Sequence, residues 1–266
     1  MNENRRKMTP EEYLEEFKLN LSTLENDKPE YLFKEWPIDI KFFKDDEANK
    51  PIFTQMAELF LYNYSSTPKE YLGKIKPIDR NNTYKILSHD GKHVLKEDNW
   101  TEEKVEAKAI FNTIKGNKYP FEIIDYEIPL RDTSLDKGIG EIDLVGKKDN
   151  VVYLLELKKF QKPNGALFHM ILQSYTYMKL LNLDKFKEEY QCDSIIPAIL
   201  VFENSDNYKQ FYDPKNTVFK ELLAHLGMKA FFIKNSSVSY KKEDDIYEFD
   251  GDYPKLKGCV EIEEMK

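Results

Sequence analysis

The sharpest alternation of apolar and polar positions falls on residues 151–158, Val-Val-Tyr-Leu-Leu-Glu-Leu-Lys, and predicts a strand whose successive side chains point to opposite faces. Tyr153, Leu155 and Leu157 share one face and are apolar enough to anchor it in a core, so Glu156 and Lys158 share the other. Upstream, residues 139–145 read as a second strand that carries Asp143. Between the two lies Gly146-Lys147-Lys148-Asp149-Asn150, polar and rich in turn formers, which predicts a hairpin. Folding at that turn brings Asp143 beside Glu156.

The pattern continues on both sides of this pair. A helix over 102–114, a strand over 121–130, the two strands of the hairpin, a helix over 166–181 and a strand over 195–202 follow in order, and a helix over 217–226 precedes a strand over 230–233. Pro163-Asn164-Gly165 supplies the break before the 166–181 helix. Hairpins followed by helix-linked strands imply an α/β fold, a mixed central sheet with helices packed on it. Ahead of this, Thr9-Pro10-Glu11-Glu12 is a helix start, with a capping threonine, proline at the first helical position and glutamate three past the cap; that helix runs to about Leu24. Residues 31–43 look extended, 53–64 helical, and 66–98 loop-like with room for one hairpin. The expected organisation is therefore an N-terminal, mostly helical accessory region over 1–98 and a second domain over 99–266 that ends in an acidic segment.

Composition narrows the class. At 266 residues with 14% aromatic and 33% charged positions, the chain has the makings of a folded protein with a sizeable core. The longest apolar run, residues 195–202, contains Pro197 and is too short to span a bilayer, and no apolar leader follows Met1, so no membrane partner and a cytoplasmic location are expected. Cys192 and Cys259 have no metal spacing, and His89, His93, His169 and His225 are scattered, which removes a zinc site and a catalytic triad. The net charge of −8 runs against nucleic-acid binding, where lysine and arginine contacts to phosphate dominate affinity. Its distribution softens the objection. Nine acids crowd residues 243–264, whereas six lysines (158, 159, 162, 179, 185, 187) face only Glu156 and Asp184 between 151 and 187.

Two carboxylates converging beside a lysine suit a hard, oxygen-binding cation such as Mg²⁺ and the handling of a phosphodiester, the lysine orienting or helping to deprotonate a water or offsetting charge on phosphorus. The triplet Glu156-Leu157-Lys158 alone occurs by chance in many proteins. The paired Asp143 and the order of elements give it weight, and with them the chain resembles the PD-(D/E)XK, restriction-endonuclease-like nuclease superfamily. Asp143 matches the first motif residue, with Ile142 where the family usually has proline, and Glu156-Leu157-Lys158 matches the second motif intact. The resemblance covers roughly residues 100–235 and implies a core of helix, three strands, helix and strand.

It also implies roles. Asp143, Glu156, the Leu157 carbonyl and a helix glutamate, Glu106 with Glu103 as its rival one turn away, would hold Mg²⁺ or Mn²⁺. Gln173 and Tyr177, four apart on one helix face, resemble the glutamine-then-tyrosine motif of the RecB-like branch, although Tyr177 fits a core position equally well. Glu141 shares parity with Asp143 and reads as a spare ligand or a strand-end carboxylate, while Lys159 points away from Lys158. Tyr177, Lys159 and Lys162 are assigned to substrate contact. The expected function is metal-dependent cleavage of nucleic acid, DNA before RNA, with a homodimer left open. The alternatives are a silent nucleic-acid-binding module of the same fold, or a defence effector switched on by a ligand or partner sensed by residues 1–98.

Overall fold

The computed structural model describes residues 52–62, 72–73, 75–86, 101–114, 120–132, 140–158, 166–234, 237–238, 240–243, 246–249, 254–257 and 260–266. The expected 9–24 helix, the 31–43 segment, Lys159 and Lys162 lie outside them.

Helix α1 (Ile52–Tyr62) and helix α2 (Glu102–Ile114) precede strands β1 (Glu122–Pro129), β2 (Glu141–Lys148) and β3 (Val151–Leu157). Helices α3 (Ala166–Leu180) and α4 (Leu183–Tyr190) lead to β4 (Ser194–Phe202), then α5 (Asp206–Tyr212), α6 (Val218–Leu226) and β5 (Lys229–Lys234). Short strands β6 (Ser237–Val238), β7 (Tyr240–Glu243), β8 (Ile246–Phe249) and β9 (Leu256–Lys257) follow, and β10 (Glu261–Glu264) closes the order. Among the described residues, six strands form one mixed sheet in the order β1-β2-β3-β4-β5-β10. β1, β2 and β3 are antiparallel neighbours, β3, β4 and β5 are parallel, and β10 returns antiparallel to β5.

Alternation along the central strands divides the apolar side chains into two layers. Val152, Leu154, Ile199 and Val201 pack with α1, α3 and α6; Leu155, Leu157, Ala198, Leu200 and Phe202 pack with α2 and with Leu256 of β9. The elements end where local chemistry dictates. Asp149 turns the β2–β3 hairpin at φ 53°. The Asn182 carboxamide accepts the Lys185 N–H at 3.2 Å to start α4, and Gly227 at φ 65° ends α6.

Described residues on both sides of position 98 share one core: α1 and Tyr84 belong to the same apolar cluster as α3 and α6. Residues 75–86 form a strap across the second half of the chain. The Ile78 N–H donates to the Leu180 carbonyl at 2.8 Å, Lys185 Nζ donates to the carbonyls of Arg80 and Asn81, and the Tyr84 hydroxyl accepts the Asn182 N–H at 3.0 Å. Proline and asparagine content hid a segment held by backbone pairing and by one fully buried tyrosine. Within the acidic C-terminal segment, β10 is an edge strand of the sheet among the described residues and buries Ile262. No helix among the described residues is long and apolar enough to cross a membrane.

Candidate functional site

The site forms at the carboxyl end of β3, where β2 parts from it. The ladder pairs Val145 with Leu154 and Leu144 with Leu155, which sets Asp143 across from Glu156. There a side chain takes over from the backbone, and Asp143 Oδ2 accepts the Leu157 N–H at 2.7 Å. Lys158 Nζ donates to Glu156 Oε1 at 2.6 Å and lies 3.8 Å from Glu103 Oε1 in the first turn of α2. The hairpin, the shared side of Glu156 and Lys158, and the meeting with Asp143 are thus found, but β2 runs on through Lys148, so the turn is tighter than the 146–150 loop expected.

These groups are enclosed. Glu156 is 2% exposed and Lys158 6%. Burial pushes the Asp143 carboxyl up to about 6, against the pull of Lys158 and the Leu157 N–H. Burial, then the Asp143 charge beside it, pushes Glu156 well above the usual carboxylate range. Burial also works against the Lys158 ammonium, but Glu156, Asp143 and Glu103 outweigh it and hold the group above the ordinary lysine value. Without a bound ion Lys158 is therefore held as an ammonium, which can donate hydrogen bonds and neutralise charge.

Helix α3 delivers the remaining groups. The Ser174 hydroxyl lies 3.2 and 3.0 Å from the carbonyls of Leu154 and Ala198 and accepts the Ala198 N–H at 3.1 Å, which clamps the helix over β3 and β4. One residue earlier, Gln173 Nε2 donates to the Tyr177 hydroxyl at 3.0 Å. Tyr177 takes the core position weighed for it: its ring is buried, and burial followed by the charges of Glu156 and Asp143 raises its phenol well above the ordinary value. A side chain at Gly140 would overlap that hydroxyl, so β2 begins on the one residue type that lets it pass.

Of the two α2 carboxylates weighed as ligands, Glu103 acts by its charge on Asp143, Glu156 and Lys158. Glu106 is buried one turn further along the helix, at 4% exposure. Glu141 binds Lys104 Nζ at 2.8 Å, as suits a strand-end carboxylate. Of the described lysines in the basic stretch, Lys158 is in the site, Lys185 holds the strap and Lys179 lies over the Tyr175 ring. Sequence reasoning missed Glu127, which the register of Tyr126 with Leu144 and Ile128 with Ile142 places across from Asp143. Burial pushes Glu127 up to about 7, with Lys104 opposing and Glu141 and Asp143 reinforcing the shift. It also missed Lys104, 3.7 Å from Glu127. No pattern in the sequence marks either residue.

Two features fit a divalent cation. Glu156 Oε2 is buried with no hydrogen-bond partner among the described residues, and the half-buried Asp143 carboxylate stands beside it. Two carboxylates side by side are oxygen donors of the kind that suits Mg²⁺ or Mn²⁺. Among the described residues, however, no group of three or more histidine, cysteine, aspartate or glutamate side chains is arranged to hold a metal ion. No protein-family model, no curated protein and no solved structure matches the chain.

Proposed function

We propose that this chain is a metal-dependent nuclease that hydrolyses phosphodiester bonds in DNA, built on a restriction-endonuclease-like core of the PD-(D/E)XK kind and near its RecB-like branch. One observation carries the reading: Asp143 and Glu156 face each other across the parting β2–β3 ladder, Glu156 buried and Asp143 half-buried, with the buried Lys158 ammonium 2.6 Å from Glu156. The order α2, β1, β2, β3, α3, β4 supports the core assignment. A cytoplasmic setting belongs to the same proposal.

Asp143, Glu156 and the Leu157 carbonyl are the groups that would hold Mg²⁺ or Mn²⁺, with Glu103 or Glu106 of α2 beside them. When bound, the ion supplies Lewis-acid charge neutralisation at a phosphate oxygen and a more acidic water. The protein's own groups do the rest. The Leu157 N–H fixes the Asp143 carboxylate. Lys158, held as an ammonium by its carboxylate neighbours, donates to a phosphate oxygen or orients the attacking water. Gln173, braced by the Tyr177 hydroxyl, orients the strand being cut.

A silent nucleic-acid-binding module of the same fold is the second reading, favoured by the lack of a three-carboxylate cluster among the described residues. Incubating single- and double-stranded DNA with the full chain in Mg²⁺ or Mn²⁺ separates the two. The nuclease reading expects cleavage that Asp143→Ala and Lys158→Ala remove. Binding without metal-dependent cleavage marks the silent module.

A further inference from the structure

Glu127 is the anomalous residue of β1. Its φ of 47° places a long side chain in the left-handed region within a strand. The other described non-glycine residues with positive φ stand at turns or helix ends: Asp149 in the β2–β3 hairpin, Gln191 after α4 and Asn204 after β4. The kink has a spatial result. Tyr126 packs in one apolar layer and Ile128 in the other, and Glu127 between them stands across from Asp143, which stands across from Glu156. Glu127 Oε2 lies 3.7 Å from Lys104 Nζ, while Oε1 is buried with no hydrogen-bond partner among the described residues. Glu156 Oε2, two strands away and fully enclosed, is in the same condition. A left-handed glutamate inside a strand persists only where its surroundings hold it, and such positions concentrate at functional sites.

We propose that Glu127 is a third carboxylate of this centre, a positioning residue whose Oε1 accepts a hydrogen bond from a water carried by the divalent ion that Asp143 and Glu156 hold. The inference rests on the metal-site reading given under Proposed function. Mg²⁺ in proteins keeps several of its waters, and groups that hold such outer positions change metal affinity by about 10- to 100-fold. The lack, among the described residues, of three acidic side chains arranged to hold one ion fits this outer role, in which Glu127 would engage a water rather than the ion. Lys104, bound also to Glu141 at 2.8 Å, engages Oε2 and leaves Oε1 for the water.

Calorimetric titration of the full chain with Mn²⁺ alone tests the role, with a thermal unfolding midpoint recorded for each variant. Wild type binds Mn²⁺, Asp143→Ala abolishes binding, and Glu127→Gln weakens it by about tenfold or more at an unchanged midpoint. Glu127→Gly weakens binding as much, while its midpoint holds or rises because glycine adopts this φ without strain. Lys104→Met, which breaks the ion pair alone, leaves Mn²⁺ affinity close to wild type. Wild-type affinity in both Glu127 variants, with Asp143→Ala inactive in binding, overturns the role of Glu127 and leaves the centre standing. Absence of Mn²⁺ binding by the wild-type chain overturns the metal reading and this inference together.

Discussion

Lys158 and Glu156 stand 2.6 Å apart in the site, and Lys229 and Glu264 stand 2.6 Å apart on the β5–β10 edge. The surface pair is open to water, with side chains 47% and 43% exposed, whereas the site pair is enclosed at 7% and 1%. Water screens the first pair, so its charges cost little and contribute little. The second has lost its hydration and shares its single ammonium with Asp143 and Glu103. Equal distance therefore says nothing about equal meaning. The cluster of carboxylates around Lys158 is what the proposed divalent ion would neutralise, whereas the exposed pair on the sheet edge has no such use.

Removing the shared cation breaks the contrast most strongly. At pH 8 with a chelator present, Lys158→Met lowers unfolding stability by about 3–5 kcal/mol, since it strands buried carboxylates. Urea denaturation measures it, and a loss below about 1 kcal/mol would mean that the carboxylates are already neutral.

The next effect has the opposite sign. Asp143, raised to about 6 from 3.8, favours folding while it keeps its proton below about pH 4, and that contribution is lost as pH rises through about 6. Asp143→Asn keeps an acceptor for the Leu157 N–H and removes the charge. It stabilises the ion-free chain at pH 8 by about 1–3 kcal/mol and much less at pH 4, read from the same urea transitions at the two pH values.

The smallest effect belongs to the edge. Lys229→Met changes stability by less than about 1 kcal/mol, and raising the salt concentration erases the difference. A larger, salt-insensitive loss would mean that the two pairs are alike.

Much of this contrast is visible in the residues themselves. The alternation of 151–158 determines which face Glu156 and Lys158 share, because it is local periodicity, whereas the register that meets Asp143 with Glu156 comes from β2 pairing through Lys148, in a stretch that reads as turn. What lies across the chain is not written locally. Glu127 enters the site through a backbone kink that strand alternation cannot show, and Lys104 through the angle at which α2 crosses β1 and β2. Helix α4 was signalled by Asn182 three residues before Lys185, yet the charged run that follows concealed the buried faces of Phe186 and Tyr190. Tyr84 lies in a stretch that reads as loop, and its place in the core comes from contacts made about a hundred residues away.

The most direct measurement is the single-turnover rate of DNA cleavage in Mg²⁺ or Mn²⁺ for the wild-type chain and Asp143→Ala, with matched folding confirmed by circular dichroism. The account predicts strand scission that stops when a chelator is added and falls by about 10³-fold or more in the variant, the scale of losing a central electrostatic group. Equal rates for the two proteins, or scission that ignores the chelator, would contradict it.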